Sequence, residues 1–187
     1  MMRLREQYKK KVVPAMIEKF GYKNEMAVPK IEKVVVNCGF GKAIAGKGAS
    51  ERQKMQEHIS KNLALMTAQT PCAVKAKKSI AAFKLRKGII IGLKVTLRGK
   101  RMYEFLEKLI WLVLPRGRDF RGIPIKSIPE KGDLTVGFKE YTPFPEVKVE
   151  REKGIFGLEV TIQTNAKTKE ERMALLRFMG FPLQKKE

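Results

Sequence analysis

The run GKAIAGKG at residues 41–48 is spaced like a phosphate cradle, with a strand-like stretch before it and a helix-like stretch after it. In a nucleotide-binding loop the backbone N–H groups hold phosphates, a lysine reaches the outer one, and the next residue offers magnesium a hydroxyl. Here Lys47 is in place but the next residue is Gly48, and no apolar strand ending in aspartate follows to complete a magnesium site. A glycine-rich turn between strand and helix accounts for the same letters, so a turn over Gly41–Lys47 is expected and a P-loop NTPase is the alternative. The overlapping CGFG at 38–41 echoes the aromatic strand motif of single-strand RNA-binding sheets. Those sheets stack bases on two or three aromatics, whereas this stretch offers only Phe40. His58, the single histidine, sits among polar residues in a helical pattern and is expected to be exposed. No Cys/His cluster could hold zinc. Glu104 and Glu107 lie a helical turn apart beside Lys100, Arg101 and Lys108, which reads as surface pairing rather than acid–base work. No catalytic residue, metal, cofactor or small-molecule substrate is expected.

The chemistry that the sequence does carry is cationic. Forty Lys and Arg stand against 19 Asp and Glu, a formal net charge of +21. A compact domain at that charge repels itself, so its working state should include a polyanion. Between Glu57 and Glu104 there are 11 basic residues and no acid, about half the net charge in a quarter of the chain. Mixed charge usually means a solvated face; one-signed charge over this length points to phosphates. Within it, SIAAF at 79–83 places a small hydroxyl and one aromatic among lysines. Lysines hold phosphates without reading sequence, while an aromatic among them can stack on an unpaired base. Phe83 has two readings, a base-stacking ring or an anchor that pins the loop.

Elements that would position these groups follow from the hydrophobic periods. Leu4, Tyr8, Val12, Met16 and Phe20 recur every four residues, a helix closed by Gly21, with a kink or division expected at Pro14. IEKVVVNC at 31–38 is a β-branched strand. Ser50 with Gln53 suggests a capping box for a helix whose face carries Met55, Ile59, Leu63 and Met66. Pro71 opens a short strand over 72–75, followed by a basic loop. From Ile89 to Arg98 the residues alternate, with Lys94, Thr96 and Arg98 on the polar side. Met102, Phe105, Leu106, Leu109, Ile110 and Val113 form the next helical stripe, which Pro115 ends. Two more strands are centred on Val136 and Val160, and Thr168 with Glu171 caps a last helix. The order, a helix followed by β-α-β-β-α-β-β-α, predicts a single α+β domain over 1–187. Its sheet is antiparallel or mixed, with helices on one face.

At 43% apolar residues the chain can bury a real core and is not a disordered polycation. No apolar run approaches the roughly 18 residues that span a bilayer, so no membrane partner is expected. The N-terminus lacks the apolar core of a signal peptide. Cys38 and Cys72 lack CxxC spacing, as befits reduced thiols in a cytosol-like compartment.

Taken together, KKSIAAFKLRKG at 77–88, GLKVTLRG at 92–99, RMYEF at 101–105, PRGRDFRG at 115–122, FPE at 144–146 and GFP at 180–182 resemble one family over nearly the whole chain. It is the family of large-subunit ribosomal protein number five of bacteria and organelles. That resemblance implies a non-catalytic ribosomal protein that holds 5S ribosomal RNA in the central protuberance, beside 23S-type RNA. It also implies contact with the peptidyl-site tRNA and a bridge to a small-subunit head protein. By position, Asn37, Gln69, Ser79 and Phe83 carry over as 5S contacts, and about 74–87 as the tRNA-facing loop. Lys75, Lys94 and Arg98 would add phosphate contacts on the 5S side, and Lys77, Lys78, Lys84, Arg86 and Lys87 along the loop. Arg116, Arg118 and Arg121 are expected at the small-subunit bridge. Two departures stand out: Ala82 replaces a frequent glycine, which would stiffen the loop tip, and CGFG replaces the more usual MGVG. A sequence-blind binder of nucleic acid remains the alternative binding module.

Overall fold

A computed structural model of the chain describes residues 3–83, 85–118, 120–130, 132–147 and 154–184. Its first stripe folds as α1 (Leu4–Gln7), a π-helical turn (Tyr8–Val12) and α2 (Val13–Phe20) in unbroken succession. Pro14 therefore does not divide the helix. It falls in the first turn of α2, directly after the wider π turn that closes through Val13 N–H to Tyr8 O, and the helix runs on past a residue with no N–H to donate. Gly21 closes α2 in the left-handed region at φ 69°, its N–H donating to the Ile17 carbonyl at 2.8 Å.

The remaining order matches the sequence reading, with one added helical turn. β1 (Ile31–Gly39) leads through α3 (Gly41–Ile44) into α4 (Ala49–Thr67), then β2 (Cys72–Lys75) and β3 (Ile90–Leu97). α5 (Gly99–Lys108) continues through a second π turn (Leu109–Val113). β4 (Leu134–Phe138), β5 (Leu158–Thr164) and α6 (Lys169–Phe178) complete the chain. The fold is α+β: helices packed on a five-stranded antiparallel sheet of order β2-β3-β1-β5-β4.

Burial alternates as period two demands. Val34, Val36 and Cys38 of β1, Leu93, Val95 and Leu97 of β3, and Leu158, Val160 and Ile162 of β5 are all buried. The stripe Met102, Phe105, Leu106, Leu109, Ile110 and Val113 is buried throughout, as its spacing predicts. Glycine matters most at Gly92, where an added Cβ would stand 3.0 Å from the Cys38 carbonyl oxygen. Only a residue without a side chain lets β1 and β3 approach so closely there.

Helix starts divide into one success and one correction. Thr168 and Glu171 form the full reciprocal capping box of α6. Ser50, by contrast, lies inside α4, which begins two residues earlier than the Ser50–Gln53 pair predicts. Gly48 takes the N-cap without a side-chain bond.

The described residues gather into two compact units. One comprises the chain up to Val34, Leu97–Val136 and the part from Thr161; the other comprises Val35–Thr96 and Gly137–Val160. In the first, α1 packs on α5 and α2 on α6. Arg172 of α6 is buried there. Its guanidinium donates to the Thr164 hydroxyl (3.3 Å) and to the carbonyls of Pro129 (3.0 Å) and Ala166 (3.3 Å). In the second, Tyr141 stacks on Phe156 with ring centroids 4.4 Å apart. His58 presents its ring to the edge of Phe156 at 6.2 Å and meets the Asn62 amide at 3.2 Å, so it is half-buried rather than exposed. The aromatic that covers it comes from nearly a hundred residues away, which helical spacing alone could not reveal. Among the described residues no helix is long and apolar enough to cross a membrane.

Candidate nucleic-acid interface

The acid-free segment is built as a finger on an antiparallel hairpin. β2 pairs with β3 as Cys72↔Lys94, Ala73↔Leu93 and Val74↔Gly92, and then the register shifts so that Lys75 stands opposite Ile90. Directly opposed residues share a sheet face. The shift therefore sets Lys75 on the side of Gly92 and Lys94; an unbroken ladder would have paired it with Ile91, on the other face. Because Leu93 and Val95 are buried, that shared side is the open one.

Beyond the strands the loop is bonded like a second, tighter hairpin. Ala76 N–H donates to Ile89 O at 2.8 Å and Gly88 N–H to Ala76 O at 3.0 Å. Ile80 and Leu85 exchange both backbone bonds, at 3.0 and 3.2 Å, across a 3-10 turn over Ala81–Phe83. The Ser79 hydroxyl oxygen accepts the Lys87 N–H at 2.9 Å. Lys75, Lys77, Lys78, Arg86 and Lys87 are all exposed on this frame, and none has an ion pair with a described residue. They form a row of preordered cations. Lys84 and the ring of Phe83 lie outside the described residues, and so do the expectations attached to them.

Each remaining candidate has a definite place. Asn37 lies on β1 between buried Val36 and Cys38, so its amide faces the open side of the sheet, half-buried. Lys94 is exposed on that same side of β3 and Thr96 half-buried, so β1 and β3 carry Asn37, Lys94 and Thr96 on one face of the second unit. Gln69 follows Ala68, the helix-ending residue held at φ 51°, and its Nε2 donates to the Thr96 carbonyl at 3.2 Å. β2 begins only at Cys72, so the carbonyl of Thr96 has no strand partner on that edge. Gln69 supplies the donor that a longer β2 would have provided. The side chain thus has a structural task, with its carbonyl oxygen and second N–H left over.

Arg98 is exposed at the N-cap of α5, in the first unit. Arg116, Arg118 and Arg121 are exposed there too, on an ordered loop. That loop is fastened by Gly117 N–H to Leu114 O (3.0 Å), Ile123 N–H to Pro182 O (2.7 Å) and Gln184 N–H to Ile123 O (3.0 Å).

One cation escaped the sequence reading. Arg52 of α4 lines a groove of about 460 Å³ together with Gln53, Gln56, Gly88 and Ile90, at the foot of the finger. Helical spacing placed it with the other charges of α4 and gave no sign of that neighbour.

Residues 41–48 are not a phosphate cradle. A cradle needs free amides. Here the N–H groups of Ala43, Ile44, Ala45 and Lys47 already donate to the carbonyls of Phe40, Phe40, Lys42 and Ile44. Phe40 is 4% exposed, core rather than a stacking platform. Cys38 is buried and its thiol is pushed up to about 12 by that burial, so it stays protonated and inert. Cys72 is exposed, and both thiols are free. No group of three or more potential metal ligands occurs among the described residues.

Residues 24–86 match the family model described as ribosomal protein L5, and residues 90–183 match the model of the C-terminus of that same ribosomal family. The chain is 53% identical over 182 residues to the large ribosomal subunit protein uL5 of Dictyoglomus turgidum, covering 97% of this chain and 98% of that one. It is 47% identical over 185 residues to uL5 of Carboxydothermus hydrogenoformans, covering 99% and 100%. It is 48% identical over 180 residues to uL5 of Clostridium tetani, covering 96% and 97%. Matched by both models and by relatives along almost its full length, the chain belongs to the L5 family of ribosomal proteins, which are structural components rather than enzymes.

Proposed function

We propose that this L5-family protein, part of the large subunit of a bacterial-type cytoplasmic ribosome, attaches 5S ribosomal RNA to the 23S-type RNA through its acid-free finger and the adjoining sheet face. The observation that carries the reading is the finger: five exposed cations without described ion pairs, on a backbone ordered by its own hydrogen bonds. Preordered lysines meet phosphates with little further loss of chain entropy. Uncharged groups beside them supply discrimination, since phosphate contacts carry no sequence information. Asn37 and the free half of the Gln69 amide face sugar or base edges, and the Ser79 hydroxyl keeps its proton to donate. Phe83 stacks on a base at the tip. In the assembled subunit the tip of the finger meets the peptidyl-site tRNA. The loop of Arg116, Arg118 and Arg121 faces a protein of the small-subunit head.

The test is a pair of titrations at several salt concentrations, one with 5S RNA and one with a length-matched unrelated RNA. Wild type should prefer 5S RNA, and Asn37→Ala should lose about 1–3 kcal/mol on 5S RNA alone, as a desolvated polar contact does. Equal affinity for both RNAs would replace this reading with a sequence-blind binder.

A further inference from the structure

We propose that residues 3–11 form a second phosphate-binding surface, which takes the sugar–phosphate backbone of an RNA duplex apart from the RNA held by the finger. Arg3, Arg5, Lys9, Lys10 and Lys11 are five cations in nine residues, accompanied by one acid, Glu6, and all five are exposed. None has an ion pair with a described residue. Glu6 and Lys10 have the i,i+4 spacing that could make one, and the same spacing does so for Lys100 and Glu104 at 3.8 Å. A solvated helix face ordinarily mixes its signs in comparable numbers, and this one carries five cations to one acid.

The direction in which these cations point is fixed by the segment itself. Leu4, Val12, Val13 and Met16 are buried on the inner side. Two side chains between them lock the roll of the helix: Gln7 Nε2 donates to Phe178 O at 3.3 Å, and Tyr8 Oη to Pro29 O at 3.1 Å. Lys9, Lys10 and Lys11 fall on the π turn, whose backbone closes through Val13 N–H to Tyr8 O. The charge of Arg5 reaches Tyr103 of α5, lowering a phenol that burial raises, so this end of the segment lies beside the α1–α5 contact.

The chemistry of the strip selects its partner. Three of its five cations are lysines, compact charges that bind phosphate without bidentate geometry. The one aromatic in the stretch, Tyr8, is half-buried and already hydrogen-bonded, which leaves no ring to stack an unpaired base. A surface of charge without stacking or uncharged readers suits a duplex backbone and reads no sequence.

The inference rests on the RNA-binding reading above, and the experiment lets the two fail separately. The full chain is bound to immobilised 5S RNA, and a labelled short RNA duplex of unrelated sequence is titrated onto that complex across a range of salt. Wild type should capture the duplex. Changing Lys9→Gln, Lys10→Gln and Lys11→Gln together should flatten the slope of log affinity against log salt for the duplex by nearly 3, about 0.9 for each lost contact. Retention on 5S RNA should stay within about two-fold, as these lysines lie outside the finger. Arg3→Gln with Arg5→Gln should flatten the slope by about 2 more. An unchanged slope in the triple variant overturns the proposal, as does displacement of the duplex by an acidic peptide at concentrations where excess RNA duplex fails to displace it. Failure to bind 5S RNA at all would strike the earlier reading instead, and the duplex titration on the free chain would still decide this one.

Discussion

Replacing Ser79 with alanine removes the acceptor that the Lys87 N–H uses at 2.9 Å, a side-chain bond across the finger below its tip. A neutral intramolecular hydrogen bond contributes about 0.5–1.5 kcal/mol net. Ser79 and Lys87 are both exposed, so water competes for the freed amide and the lower half of that range applies. The bond closes a local unit rather than the core, so its loss should appear as easier local opening and leave global unfolding alone. Hydrogen exchange of the Lys87 amide reads that opening directly. At about 1.36 kcal/mol per factor of ten, the Ser79→Ala amide should exchange about 2 to 5 times faster than in wild type. The backbone bonds between Ile80 and Leu85 (3.0 and 3.2 Å) lie just beyond, and their amides should speed up by a smaller factor. The midpoint of thermal unfolding should move by less than about 2 °C, since a whole kcal/mol shifts a chain of this size by about 2–4 °C. Exchange at Lys87 unchanged by the substitution would refute the reasoning. The finger would then be ordered by something other than Ser79, and any lost RNA affinity would belong to a direct contact.

Other expectations concern the frame. Gly92→Ala places a Cβ 3.0 Å from the Cys38 carbonyl, and chemical denaturation should show a loss of about 1–3 kcal/mol from the forced parting of β1 and β3. Ala68→Gly should do the reverse: Ala68 sits at φ 51°, and relief of that strain, less the added freedom of glycine in the unfolded chain, should yield about 0.5–1 kcal/mol by the same assay. Glu171 is raised by partial burial but lowered more by the bonds it accepts from Tyr22 (2.6 Å), Lys167 and Thr168, so its net pKa lies below the ordinary carboxylate value. A group depressed on folding contributes stability above its unfolded pKa and loses it as pH falls through the folded one. Urea midpoints measured from neutral to acid pH should therefore fall less steeply for Glu171→Gln than for wild type across the carboxylate range.

Most of the architecture was legible because period and punctuation are local. The alternation at 89–98, the stripe from Met102 to Val113 and the Thr168–Glu171 box each state their own geometry within one helix or strand. What stayed hidden depends on register or distant partners. Gln69 became an edge cap only because β2 starts at Cys72, and strand starts are not written in side-chain types. His58 looked exposed until Phe156 covered it. Nothing in the spacing of α6 marks Arg172 as buried, yet its guanidinium rests on three neutral acceptors, one at the end of β5, one just beyond it and one from Pro129. Pro14 promised a break that the preceding π turn removed. The finger itself was visible as charge, but its rigidity was not, since the bonds that order it join residues five to thirteen positions apart in a loop without hydrophobic period.

The central claim is that this finger, with the adjoining face of β1 and β3, is where 5S RNA binds. Amide exchange of the full chain, measured free and saturated with 5S RNA, tests it position by position. The account predicts slower exchange concentrated at 75–88 and around Asn37, with the interior of α6 unchanged. Protection elsewhere, with the finger amides exchanging as they do in the free chain, would contradict it.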